Sequence, residues 1–248
     1  MKNTVILILM TMLYSCTHLA GGEQKRILIY TRNGEGYVHD NINASVKALR
    51  EICKEIKVET EVSDNPESFT GENLSRFDAV IFSNTNNEAF LTEDQRIAFR
   101  EYIESGKGFI GIHSACGSER SWPWFWAMLG GKFLRHPPLQ AFDIKVIDKK
   151  HSSTSFLPDT WKWEDECYFV NNLNPDIHVL LAADLVTIKD EDKDEYPGKT
   201  FGDLFPIAWY HEYDGGREWY TVLGHKPEHY SDILFRKHLA GGIKWVLN

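Results

Sequence analysis

Between residues 26 and 115 short apolar runs alternate with longer amphipathic stretches, and that alternation restricts the chain to an α/β fold built on parallel strands. Strands are read at residues 26–30, 58–62, 79–83 and 108–112. One helix spans about 41–56, where Ala44, Val46, Leu49, Cys53 and Ile56 keep near-helical spacing. A second spans about 92–105, with Thr92 as N-cap, Glu93 and Asp94 in the first turn and Gly106 as terminator. Such units cross over right-handed and bring their carboxyl ends to one edge, where α/β proteins bind ligands. Gly108–Ile112 is the most telling run, because it enters a turn of small residues around His113. A nucleophile elbow holds up its serine in this way; here the raised residue is an imidazole. His39 and the loop at 84–88 fall on the same predicted edge.

The second half changes character. Residues 122–129 suggest a short aromatic helix stopped by Gly130-Gly131. Strand-like runs at 142–147, 166–170, 177–182, 205–211 and 219–223 follow with few helices between them, so antiparallel additions to the sheet are expected. Asp214-Gly215 is a favoured hairpin turn between the last two. Residues 189–199 form an acidic loop, and a helix over about 230–247 closes the chain. A length of 248 residues accommodates one large α/β domain.

Neutralising phosphates needs clustered Lys and Arg, and a formal charge of −9 without a basic stripe excludes a nucleic-acid partner. A small neutral or cationic ligand fits better. Residues 1–16 have the form of a lipoprotein signal peptide: Lys2, an apolar core at 5–13, and Leu13-Tyr14-Ser15-Cys16. That core is too short to span a bilayer. Lipidation at Cys16 would make the anchor the chain's only membrane contact, residues 17–24 a tether, and residues 25–248 a domain on the periplasmic face of a bacterial membrane. Cys53, Cys116 and Cys167 then remain, an odd number at irregular spacing and no disulfide framework.

His39, His113, His136, His211 and His225 each stand at a predicted strand end or in the adjoining loop. Asp165-Glu166 precedes the run Tyr168-Phe169-Val170, and strand alternation sends the two acids to opposite faces, so one of them points into the site. Paired with His113, that acid would transfer protons. Trp209 offers a flat face to a sugar ring, and Arg217 or His225 would polarise a carbonyl or hydroxyl. H-E-x-x-H, H-x-H and C-x-x-C are all missing, so no cofactor is expected. A zinc ion gathered by distant histidines and Glu166 is the alternative.

Several segments taken in order carry a resemblance. They are Tyr37-Val38-His39-Asp40, Gly106 to Ala115, Gly130-Gly131-Lys132-Phe133 with His136-Pro137, Asp165-Glu166-Cys167-Tyr168, Pro206-Ile207-Ala208-Trp209, Gly216-Arg217 and Leu223-Gly224-His225. Together they resemble the ThuA-like (trehalose utilisation) family over about residues 25–248. The resemblance implies a flavodoxin-like three-layer sandwich related to the class I glutamine amidotransferases. It also implies sugar metabolism, with substrates of the trehalose or 3-keto-disaccharide type. The glutaminase elbow carries Cys, whereas this elbow carries His113 with Cys116 three residues on, so glutaminase chemistry is not expected. The candidate catalytic groups are His113, His136, Asp165 and Glu166. The candidate substrate contacts are His39, Tyr168, Trp209, His211, Arg217 and His225. The expectation is an enzyme processing a glycoside or keto-sugar by histidine–carboxylate chemistry; the alternatives are a non-catalytic sugar-binding module and a metal-dependent hydrolase.

Overall fold

The runs at 26–30, 79–83 and 108–112 are short and apolar on both faces, which suits strands covered above and below, whereas 58–62 alternates as an edge strand does. The computed structural model describes residues 24–197 and 201–248. The leader, Cys16 and all of the tether but Gln24 lie outside the described residues. In chain order the elements are β1 (Arg26–Tyr30), α1 (Ile42–Glu55), β2 (Glu59–Ser63), α2 (Gly71–Leu74), β3 (Ala79–Ser83), α3 (Glu93–Glu104), β4 (Gly108–Ile112) and α4 (Pro123–Leu129). Then come β5 (Lys132–Arg135), β6 (Gln140–Val146), β7 (Thr160–Asp165), β8 (Phe169–Asn171), β9 (His178–Asp184), β10 (Leu204–Tyr213), β11 (Gly216–Thr221) and α5 (Ile233–Leu247).

Nine strands form one sheet in the order β2-β1-β3-β4-β11-β10-β9-β6-β7, and β5 pairs with β8 beside it. The first five in that order run parallel. The other four continue antiparallel. This is the expected flavodoxin-like α/β architecture with an antiparallel extension in its C-terminal half. Strand direction decides what reaches which edge: β4, β11 and β7 all deliver their carboxyl ends to the same one.

α1 and α5 pack together on one face of the sheet, and α3 and α4 cover the other. Beneath α3 and α4, Phe82, Phe90, Phe99, Phe109 and Phe125 form a continuous ring cluster with centroids 5.2 to 6.2 Å apart. Burying each ring contributes about 1.5–3 kcal/mol, so the cluster gives β3 and β4 a rigid bed. On the other face α5 closes onto the sheet at Gly242, where a Cβ would sit 2.5 Å from the Trp219 ring.

The second half departs from expectation in detail. Of the strand foreseen at 166–170 only the end is strand, since β8 opens at Phe169, and β7, which ends at Asp165, was not foreseen. The break follows from Asp165, whose carboxylate accepts the Glu166 N–H at 2.8 Å and turns the chain out of the ladder. The last helix starts at Ile233 because Asp232 caps it, accepting the Phe235 N–H at 2.8 Å. Residues 227–231 form a 3-10 turn before it. No helix among the described residues is long and apolar enough to cross a membrane.

Candidate active site and metal centre

His113 follows β4 directly and is fully buried, with a left-handed φ of 51°. A non-glycine residue held there stores strain, and two hydrogen bonds fix it. The Tyr220 hydroxyl donates to the His113 carbonyl at 2.7 Å, and the Val222 carbonyl accepts from Nδ1 at 2.7 Å. A carbonyl only accepts, so the ring proton sits on Nδ1 and the Nε2 lone pair faces outward.

Three other segments meet that lone pair. His39, on the loop after β1, brings its Nε2 to 3.2 Å from His113 Nε2. His225, past the end of β11, brings Nδ1 to 3.3 Å. Glu166, just past β7, sets Oε2 3.1 Å from His225 Nδ1. One ligating atom from each of these four residues lies within 4.8 Å of all the others. Ser114 Oγ lies 3.3 Å from His39 Nδ1, and the Tyr168 hydroxyl 3.3 Å from His39 Nε2.

Burial and the neighbouring imidazoles set the charges. Burial, helped by His225, pushes His39 down to about 4. Burial and then His39 hold His113 well below the usual imidazole value, so both rings are neutral near pH 7. The hydrogen bond to Glu166 raises His225. Burial works to raise Glu166, but its bond to His225 and the nearby imidazoles prevail and hold it below the usual carboxylate range.

Neutral imidazoles and a carboxylate are the donors a divalent transition metal takes. A tetrahedral site with bonds of about 2.0–2.1 Å spaces its donor atoms roughly 3.3–3.4 Å apart. Three of the six separations, 3.1, 3.2 and 3.3 Å, come close to that spacing, and all six are within 4.8 Å. The second ring nitrogens also behave as those of metal ligands do, His113 donating to a carbonyl and His39 resting on a hydroxyl.

A cavity of about 410 Å³ adjoins the cluster, walled by Tyr37, Asn87, Arg120, Phe133, His136 and Tyr168. That volume suits a small-molecule site. His136 donates from Nδ1 to the Pro137 carbonyl at 2.9 Å, which leaves Nε2 facing Glu166 at 3.8 Å. Arg120 lies over the Phe133 ring and donates to Asn87 Oδ1 at 2.7 Å. A larger, open groove of about 1020 Å³ between α1 and β2 opens at the opposite edge and contains none of these histidines.

His39, His113, His136, Glu166, Tyr168 and His225 thus converge, and four other candidates stand elsewhere. Asp165 is fully buried behind the site with its carboxylate turned to backbone N–H groups, so Glu166 is the acid of the pair that enters. Trp209 is buried and donates from Nε1 to the Leu129 carbonyl at 2.8 Å. His211 does the same for the Met128 carbonyl at 2.7 Å, so both side chains cap the carboxyl end of α4. Arg217 begins β11 at the opposite edge of the sheet, its guanidinium 4.1 Å over the Trp245 ring. Cys116 is buried, with its thiol pushed up to about 12, so no thiolate stands at the elbow. Reading from sequence missed Asn41 and Arg120, which look like an ordinary helix-start residue and an ordinary surface cation.

A parallel sheet whose elbow carries a buried imidazole, ringed by two more and a carboxylate, defines a glutamine amidotransferase-like α/β protein without the glutaminase nucleophile. The chain belongs to the ThuA family, described as trehalose utilisation, which it matches over residues 26–246. Membership implies a role in carbohydrate metabolism. Among solved structures it is similar to a protein described as ThuA-like from Bacteroides uniformis, at 23% identity and TM-score 0.68, over 94% of this chain and 95% of that one. A second ThuA-like structure, from Parabacteroides merdae, shares 18% identity at TM-score 0.71, with 91% of each chain covered. A protein from Thermoplasma acidophilum described as belonging to a GMP synthase shares the fold at 14% identity and TM-score 0.52, over 90% of this chain and 96% of that one. No curated protein matches the chain.

Proposed function

We propose that the chain is an enzyme that holds a divalent cation on His39, His113, His225 and Glu166 and acts on a glycoside or keto-sugar seated in the adjoining cavity. The observation that carries this reading is the convergence of four ligating atoms from four separate segments, two of which, from His39 and Glu166, belong to residues that line that cavity. When bound, such a cation polarises a carbonyl or hydroxyl oxygen as a Lewis acid. The chain's own residues supply the rest. His136 offers Nε2 to the cavity and takes or returns the substrate proton at that atom. Arg120 and Asn87 orient sugar hydroxyls from the cavity wall. Tyr168, its ring 4.4 Å from His113 and 4.7 Å from Phe133, keeps water from one side of the cluster.

A cation-free reading rests on the Glu166–His225 contact of 3.1 Å, in which the carboxylate favours the protonated imidazole and so holds a general acid beside the cavity. The ThuA family description, trehalose utilisation, favours substrates of the trehalose type, and the resemblance adds 3-keto-disaccharides as a second class. The leader features of residues 1–16 support lipid anchoring at Cys16, with the site outside the cytoplasm.

Metal-free protein, reloaded with zinc or manganese and offered trehalose and a 3-keto-disaccharide, tests the reading. Turnover is expected only with cation and only with His113 intact. Full turnover in the presence of a chelator would favour the cation-free couple, and full turnover by His113→Ala would overturn the cation reading.

A further inference from the structure

His225 lies past the end of β11, where the strand ladder no longer holds the backbone. Two buried side chains hold it instead. The Asp165 carboxylate accepts the Gly224 N–H at 2.8 Å on Oδ2 and the His225 N–H at 3.3 Å on Oδ1. The same carboxylate accepts the Glu166 N–H at 2.8 Å and Trp163 Nε1–H at 2.9 Å. From the other side the Asn41 amide donates to the carbonyls of Gly224 at 2.7 Å and His225 at 2.8 Å. Asn84 Oδ1 lies 2.9 Å from the same nitrogen, whose two hydrogens are thus shared among three acceptors. All four backbone polar groups of Gly224 and His225 are therefore taken by two residues with no exposed surface.

The bracket ties site segments to one another. Asp165 joins the backbone of Glu166 to that of His225, and Asn41, two residues after His39, joins the His39 loop to the His225 loop. Every partner of Asp165 named above is an N–H, so the acceptor-only carboxylate is the form that fits. His229 Nδ1 lies 3.4 Å from Oδ2 but accepts the Lys226 N–H at 3.2 Å, so it brings no proton to the pair. Every oxygen facing the Asn41 amide nitrogen is an acceptor, so the donor end of an amide is required there. Gly224 adopts φ +116°, and a Cβ on it would stand 2.7 Å from the Tyr230 hydroxyl, so the loop has little freedom to find another path.

We propose that Asn41 and Asp165 are positioning residues that preorganise the site, fixing His225 against Glu166, His39 and His113 without touching substrate or cation. This rests on the cation reading for its consequence and on backbone geometry for its substance, so the two are read separately. The substitutions are isosteric: Asn41→Asp removes the donor, and Asp165→Asn removes an acceptor. Amide exchange of the metal-free protein reads the bracket alone. The Gly224 and His225 amides are expected to exchange slowly in the wild type and at least roughly tenfold faster in Asp165→Asn, with β4 and β11 amides unchanged. Zinc affinity, measured by chelator competition, reads the consequence: a roughly 10- to 100-fold loss in either variant.

Equal exchange in wild type and Asp165→Asn would overturn the bracket. Altered exchange with wild-type zinc affinity would overturn the positioning role. A wild type that binds no zinc while exchange changes as expected would leave the bracket standing and defeat the cation reading. If Asp165→Asn fails to fold, Asn41→Asp is read by the same exchange measurement.

Discussion

His113 and His238 are both fully buried and both use Nδ1 to donate to a backbone carbonyl, yet they belong to different kinds of site. His238, on α5, meets the Ser153 carbonyl at 2.9 Å and lies 3.3 Å from the Thr221 hydroxyl at Nε2, so both nitrogens are satisfied. His113 has one nitrogen satisfied and turns the other toward two more imidazole nitrogens. Burial and imidazole chemistry are common to the two. The destination of the second nitrogen separates a core histidine from one that can take a ligand.

The largest expected effect breaks the pair apart. His113→Ala should weaken zinc binding by a hundredfold or more and abolish the rise in melting temperature that zinc gives the wild type. His238→Ala should cost about 2–4 kcal/mol of stability through its cavity and the stranded Ser153 carbonyl, yet keep zinc affinity within about threefold. Comparable losses of zinc affinity in both would erase the distinction.

Acid treats the regions alike until a cation is added. Burial pushes His39 and His238 down to about 4, while the unfolded chain titrates near the ordinary imidazole value of about 6.5. Between those values the unfolded chain binds more protons, so stability rises with pH and is lost as pH falls through this window. The slope is about 1.4 kcal/mol per pH unit for each such histidine. His225, raised by Glu166, acts in the opposite sense, contributing stability below its unfolded value that is lost as pH rises through the folded one. Saturating zinc should steepen the acid loss, because protons then also displace the cation from the edge cluster. Urea titrations from pH 7 to pH 4 with and without zinc check this; identical profiles would count against it.

The smallest effect concerns the residues set apart from the cluster. Trp209→Phe keeps most of the ring volume and strands the Leu129 carbonyl at the end of α4, costing about 1–3 kcal/mol. Sugar and zinc binding should not change, and a calorimetric loss of sugar affinity would return Trp209 to the site.

What sequence could and could not reveal follows from strand direction and pattern. β1, β3 and β4 stand where their apolar runs stand, because strands covered on both faces leave an unbroken signal. β7 escaped because Trp161, Trp163 and Asp165 form its inward face, and the buried acid disguises the alternation. His39, His113 and His225 were legible as residues just past parallel strands or in the loop after one. His211 was misplaced by the same rule, since β10 runs antiparallel and its carboxyl end lies at the far edge. Arg217 opens β11 instead of closing it, which sends it to that far edge too. The choice between Asp165 and Glu166 depended on where β7 ends, and no local pattern specifies that.

Anomalous diffraction at the zinc edge, from crystals of reloaded wild type and of His113→Ala, reads the cation site itself. One peak is expected in the wild type, bonded at about 2.0–2.2 Å to His39 Nε2, His113 Nε2, His225 Nδ1 and Glu166 Oε2, and no peak in the variant. A wild type with the four side chains in mutual contact and no cation between them would contradict the cation reading.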